Sequence, residues 1–325
     1  MFVAVRLLFV FRPVTLLNYP EDHDSRCFLA EELGYRVEGP PHPEVLIMGT
    51  SRLMECCFDP LAEALALRPE EVMSLSRPTN SFWPIRLLLQ RNPGMLDGAR
   101  VVVIDLLPYQ IRERPDFPES DTLFLGYASL RERLDCSELR ARVLTAADWL
   151  LPLWSERRTV EYWRKGIGTS LLSEGDFAVT MQELARSGSA EQMARMRTFG
   201  PGSFLRVFYF LYLPLTPISA NEVRALDEII DMMPEDTQLL LIMPPLIEDL
   251  HEALTGLRLE QYTDFQDYMR SMQRPGVTVL FCDEPSAYGF EREDFVEGVH
   301  FTDSGYRKLL ALFADVINGL SAEGL

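Results

Sequence analysis

The sequence predicts an α/β protein in three layers, with helices on both faces of a parallel sheet of about five strands. Two observations carry this. Short, mainly apolar runs, Val45–Met48, Val101–Ile104, Gln238–Met243 and Val277–Cys282, have the length and composition of strands covered on both faces. Stretches of helical periodicity lie between them, and 325 residues suffice for one large domain or a domain carrying an insertion.

From the N-terminus, residues 2–17 are strongly apolar but interrupted by Arg6, Arg12 and Pro13. A membrane span needs about 20 apolar residues, so this run reads either as a shortened anchor within an N-terminal segment 1–30 or as a docked amphipathic segment or first strand. No small-residue cleavage site follows it. Residues 31–325 form the main domain. The location is membrane-associated or periplasmic if the segment is an anchor, and cytoplasmic otherwise.

Val45–Met48 is the first strand of the sheet. It runs into Gly49-Thr50-Ser51-Arg52, where glycine lets the backbone turn sharply. Ser51 opens a helical pattern reaching Leu67. Two readings stand side by side: a helix N-cap, or a nucleophile at a helix start whose free N–H groups favour a developing negative charge. Cys56 and Cys57 lie in this helix and are expected to pack on the sheet. Val72–Ser76 is a short second strand, and Arg77–Ser81 a loop opening a helix through Leu89; Asn80 is either its N-cap or a side-chain donor. Val101–Ile104, ending at Asp105, is the clearest buried strand.

From 112 to 218 the strand–helix rhythm breaks, which marks a helical insertion. Its Gly166-Ile167-Gly168 is no phosphate loop, because the Lys-Ser/Thr and the preceding strand are missing. The rhythm returns with a helix over Asn221–Met232, strand Gln238–Met243, a helix over Leu259–Met272 and strand Val277–Cys282. Glu297-Gly298-Val299-His300 then precedes a final amphipathic helix.

The net charge of −18, from 31 basic and 49 acidic residues, argues against nucleic acid or an anionic membrane surface as partner. The five cysteines, Cys27, Cys56, Cys57, Cys136 and Cys282, contain no C-x-x-C pair and indicate neither a zinc site nor a disulfide framework. His23, His42 and His251 show no metal-ligand spacing. No metal and no cofactor is expected.

A strand ending in Gly49-Thr50-Ser51, combined with Glu297-x-x-His300 before the last helix, resembles the SGNH/GDSL hydrolase superfamily, whose first block reads Gly-Asp-Ser and whose last reads Asp-x-x-His. Gly49-Thr50-Ser51-Arg52 followed by Phe58-Asp59-Pro60 is closest to its membrane-associated, polysaccharide-linked branches, similar to alginate O-acetylation and teichoic-acid D-alanylation factors. The resemblance implies a flavodoxin-like strand order 2-1-3-4-5. It also implies a serine esterase or O-acyltransferase acting on a small-molecule or glycan acyl ester, alone or with a membrane-bound partner. Ser51 is then the nucleophile, His300 the base and Glu297 the acid that orients it, with Ser51 and Asn80 as oxyanion donors.

Four positions depart from the family pattern. Glu297 stands for Asp and keeps the charge; Thr50 stands for an Asp whose role is mainly structural. No glycine occupies the Arg77–Ser81 loop, and Asp105-Leu106-Leu107-Pro108 stands where the family carries Gly-x-Asn-Asp. An ionised Asp cannot donate to an oxyanion, so Asp105 is expected to fix Arg52 or Arg77 by an ion pair. These three line the expected cleft. The same departures support the alternative, a catalytically weak or inactive member that binds a glycan or membrane partner.

Overall fold

The computed structural model describes residues 42–54, 57–76, 81–111, 218–256, 260–297 and 300–323, with isolated positions 143 and 147. The expectations for residues 1–30, for Arg77 and Asn80, and for nearly all of the 112–218 insertion lie outside the described residues.

Five parallel strands, β1 (Val45–Ile47), β2 (Val72–Ser74), β3 (Val101–Asp105), β4 (Gln238–Met243) and β5 (Val277–Phe281), form one sheet in the order β2-β1-β3-β4-β5. This is the α/β three-layer arrangement expected from the chain. The central strands earn their place by composition: each residue of β1 and β3 is buried, and Val45, Leu46 and Ile47 pair in register with Val101, Val102 and Val103. The β1-to-β2 connection runs one way across the sheet and the later ones run the other way. With a constant right-handed crossover, their helices must therefore lie on opposite faces.

Helix α1 (Ser51–Met54) is a single turn, and α2 (Asp59–Ala64) begins with Pro60 in its first turn. The expected single helix to Leu67 is thus two pieces: the chain leaves α2 through Ala66, at φ 56°. Cys57 lies between the two and is exposed, not packed on the sheet; the break before the proline-led α2 swings it outward. Cys282 is buried.

Helix α3 (Phe82–Arg91) packs against α4 (Ala220–Met232). The start of α3 is capped from its neighbour. Ser81 Oγ donates to Glu222 Oε1 at 3.0 Å and Trp83 N to Oε2 at 2.9 Å, so a carboxylate meets the positive end of the helix. Glu222 N in turn donates to the α4 N-cap, Ser219, at 3.3 Å.

Beyond β4, α5 (Glu248–Gly256), which the periodicity did not predict, precedes α6 (Glu260–Arg270). A two-stranded hairpin, β6 (Phe295–Glu297) and β7 (His300–Phe301), leads into α7 (Asp303–Glu323), which packs on α2. No described helix is long and apolar enough to cross a membrane.

Candidate active site

In open parallel sheets, ligand sites form beyond the carboxyl ends of the strands, near the point where the strand order reverses. Here that point falls at β1 and β3. β1 leaves the sheet there through Gly49. A β-carbon on Gly49 would lie 2.7 Å from Leu53 Cδ1 and 2.9 Å from Ser76 Oγ, so any larger residue would have to push those side chains aside. Gly49 N donates to Ser76 Oγ at 3.1 Å.

Asp105, at the end of β3, reaches the next two links. Its Oδ1 accepts from Thr50 N and its Oδ2 from Thr50 Oγ1, both at 2.7 Å. Arg52 Nε lies 3.4 Å from Oδ2, and Arg52 Nη2 donates to the Leu106 carbonyl at 3.1 Å. The side chains are 1% (Arg52) and 0% (Asp105) exposed, so this pair faces the turn around Ser51, not solvent.

Ser51, the first residue of α1, is half-buried, and its Oγ lies 3.0 Å from His300 Nε2, although 249 positions separate them in the chain. His300 is buried at 9% exposure. With the imidazole proton on Nδ1, Nε2 accepts the hydroxyl proton, the arrangement a general base requires.

Several contacts hold the histidine strand. Phe301 packs against Phe290, Phe295 and Tyr306 at centroid distances of 5.8, 5.2 and 5.6 Å. Across the hairpin, the backbone of Glu297 pairs with that of His300. The Glu297 side chain lies outside the described residues.

Three other acids in this part of the chain have different work. Asp294 accepts from Glu291 N at 2.8 Å, Ser304 Oγ at 3.1 Å and Lys308 Nζ at 2.6 Å, tying the loop before β6 to α7. Burial alone would raise its pKa, but these donors outweigh it and hold the carboxyl below its ordinary value. Asp303 is exposed in the first turn of α7. Asp283, past β5, is buried and accepts from Tyr262 Oη and, at 3.3 Å, from Gln266 Nε2, with His251 Nε2 at 3.9 Å. Nothing local in the sequence marks Asp283 or Asp294 for burial, because the side chains that engage them come from α6 and α7. Among the described residues no cluster of His, Cys, Asp or Glu is suited to hold a metal ion.

No family model and no curated protein matches this chain. Among solved structures, a chain from Streptococcus pneumonia described as a candidate platelet activating factor is similar at 12% identity, covering 97% of this chain and 98% of that one, with a TM-score of 0.35. Such a likeness is too low to bear on activity.

Proposed function

We propose that the chain is an SGNH-like serine esterase or O-acyltransferase that acts on the acyl ester of a carbohydrate or cell-surface polymer. The observation that supports it is the Ser51 Oγ to His300 Nε2 hydrogen bond at the carboxyl edge of the sheet. Ser51 attacks the ester carbonyl carbon while its proton passes to Nε2. The negative charge gathers on the former carbonyl oxygen, where Ser51 N–H, which makes no hydrogen bond among the described residues, is a donor. Collapse breaks the ester C–O bond, the leaving alcohol takes the proton from His300, and the acyl group stays on Ser51. Water then attacks it in an esterase, or a sugar hydroxyl in a transferase, with His300 again taking the proton and returning it to Ser51 Oγ as the acyl–serine bond breaks and the acid or new ester leaves. Glu297 serves as the acid that orients the imidazole, and Asn80 as a second oxyanion donor.

A second reading is a catalytically weak protein that binds a glycan or membrane partner at the same edge. It is favoured by Asp105, whose carboxylate is an acceptor already engaged by Thr50 and Arg52 at the place where the resemblance expects a donor. One missing oxyanion donor costs about 10²- to 10³-fold in rate. A panel of acetyl esters of sugars and of p-nitrophenol, assayed with wild type and Ser51→Ala, separates the two. Hydrolysis or transfer lost in Ser51→Ala supports the enzyme, and equal background in both supports the binder.

A further inference from the structure

We propose that Thr50, Asp105 and Arg52 form a clamp that positions Ser51, with Arg52 acting through the Asp105 carboxylate and not on the substrate; this rests on reading Ser51 as the nucleophile. The residues on either side of Ser51 are both tied to the end of β3. Before it, the Thr50 amide and hydroxyl donate to the two oxygens of Asp105. After it, Arg52 straddles the same strand end, with Nε beside Asp105 Oδ2 and Nη2 on the Leu106 carbonyl. Arg52 N also lies 3.4 Å from Thr50 Oγ1, and Leu53 N donates to the Thr50 carbonyl at 3.1 Å. Ser51 is the residue of this turn whose hydroxyl is turned to His300 instead.

A geometric role explains the clamp better than a stabilising one. A buried ion pair rarely repays its desolvation. This one is also imperfect, because Arg52 Nη1 is buried with no hydrogen-bond partner among the described residues. An apolar pair of similar volume would fill the space at lower cost. What it could not do is fix the peptide plane entering Ser51 and the side chain leaving it on one rigid strand end. Catalytic geometry is sensitive at that scale, since a misplacement of about 1 Å costs on the order of 10²-fold.

The test uses the 325-residue chain as wild type, Ser51→Ala, Thr50→Ser, Thr50→Val and Arg52→Lys, with Arg86→Met as a control that breaks the Arg86–Glu228 pair between α3 and α4. One readout is Ser51 labelling by a fluorophosphonate, resolved into kinact and KI. The other, independent of reactivity, is the His300 Nε2 nitrogen shift in a histidine-selective NMR spectrum. Thr50→Val and Arg52→Lys are expected to lower kinact by about 10- to 10²-fold with KI nearly constant, and Thr50→Val to shift the Nε2 resonance toward that of an imidazole free of the serine. Thr50→Ser, which keeps the hydroxyl, and Arg86→Met should match wild type. A Thr50→Val protein that labels like wild type with an unmoved Nε2 resonance overturns the clamp. If wild type labels no more than Ser51→Ala while Nε2 still moves in Thr50→Val, the proposed reaction falls and the clamp stands. Should Arg52→Lys fail to fold, the Thr50 pair decides alone.

Discussion

Gly305, in the first turn of α7, lies so close to the carbonyl of Asp294 that no β-carbon fits between them; one built there would also meet the Asp294 carbonyl carbon at 3.0 Å and Phe301 Cβ at 3.1 Å. The helix thereby seats against the loop before β6 and against Phe301 of β7, the strand that carries His300. Gly305→Ala must push backbone, not a flexible side-chain tip. It should destabilise the fold by about 1–3 kcal/mol, the usual cost of overpacking. Chemical denaturation checks the stability, and a labelling rate of Ser51 reduced in the still-folded variant checks the link to His300.

The Asp294 carboxyl, held below its ordinary value by its donors, gives a pH signature. A carboxyl with a depressed folded pKa contributes stability that is fully present above its unfolded pKa of about 3.9, and that is lost as pH falls through the folded value. Asp294→Asn should therefore be less stable than wild type at neutral pH, by about 1–3 kcal/mol for lost charged hydrogen bonds. The gap should narrow below about pH 4. Thermal unfolding of both proteins across pH 2.5–7 measures it, and a constant gap would count against the pairing with Lys308.

Much of the fold was legible because its strands are simple. Val101–Ile104 has no polar residue to confuse its burial, and Val45–Met48 is the same kind of segment. Ser51 and His300 were legible for another reason: each stands at a strand end followed by a helical pattern, in blocks that resemble a known pair. What stayed hidden depends on contacts across the chain. Nothing local marks Ala66 for a left-handed turn, or Glu222 as the cap of a helix 139 positions earlier. The Thr50–Asp105 contact also joins two strands, and its only sequence trace is a hydroxyl beside one strand end and an acid at the other.

Breaking the buried pair by one partner should be far worse than replacing both. Asp105→Leu alone strands the Arg52 guanidinium and should cost about 3–5 kcal/mol, whereas Arg52→Met with Asp105→Leu should recover most of that. A double-mutant cycle by urea unfolding reads the difference. Equal losses in single and double variants would contradict the pairing.

Thiol reactivity distinguishes the two described cysteines. Burial pushes the Cys282 thiol up to about 11, with the neighbouring Asp283 adding to the rise against a hydrogen bond from Tyr288 that lowers it. At pH 8 it stays protonated and enclosed. Iodoacetamide should modify exposed Cys57 in the native protein and reach Cys282 only after denaturation, as peptide mapping would show.

The most direct measurement is fluorophosphonate treatment of the native 325-residue chain followed by mapping of the peptide that carries Ser51. An activated serine predicts an adduct on Ser51, absent in Ser51→Ala and slowed by about 10²- to 10⁴-fold in His300→Ala, the usual contribution of a positioned general base. A folded wild-type protein with no adduct on Ser51, or one that labels equally well without the imidazole, would contradict the proposed nucleophile.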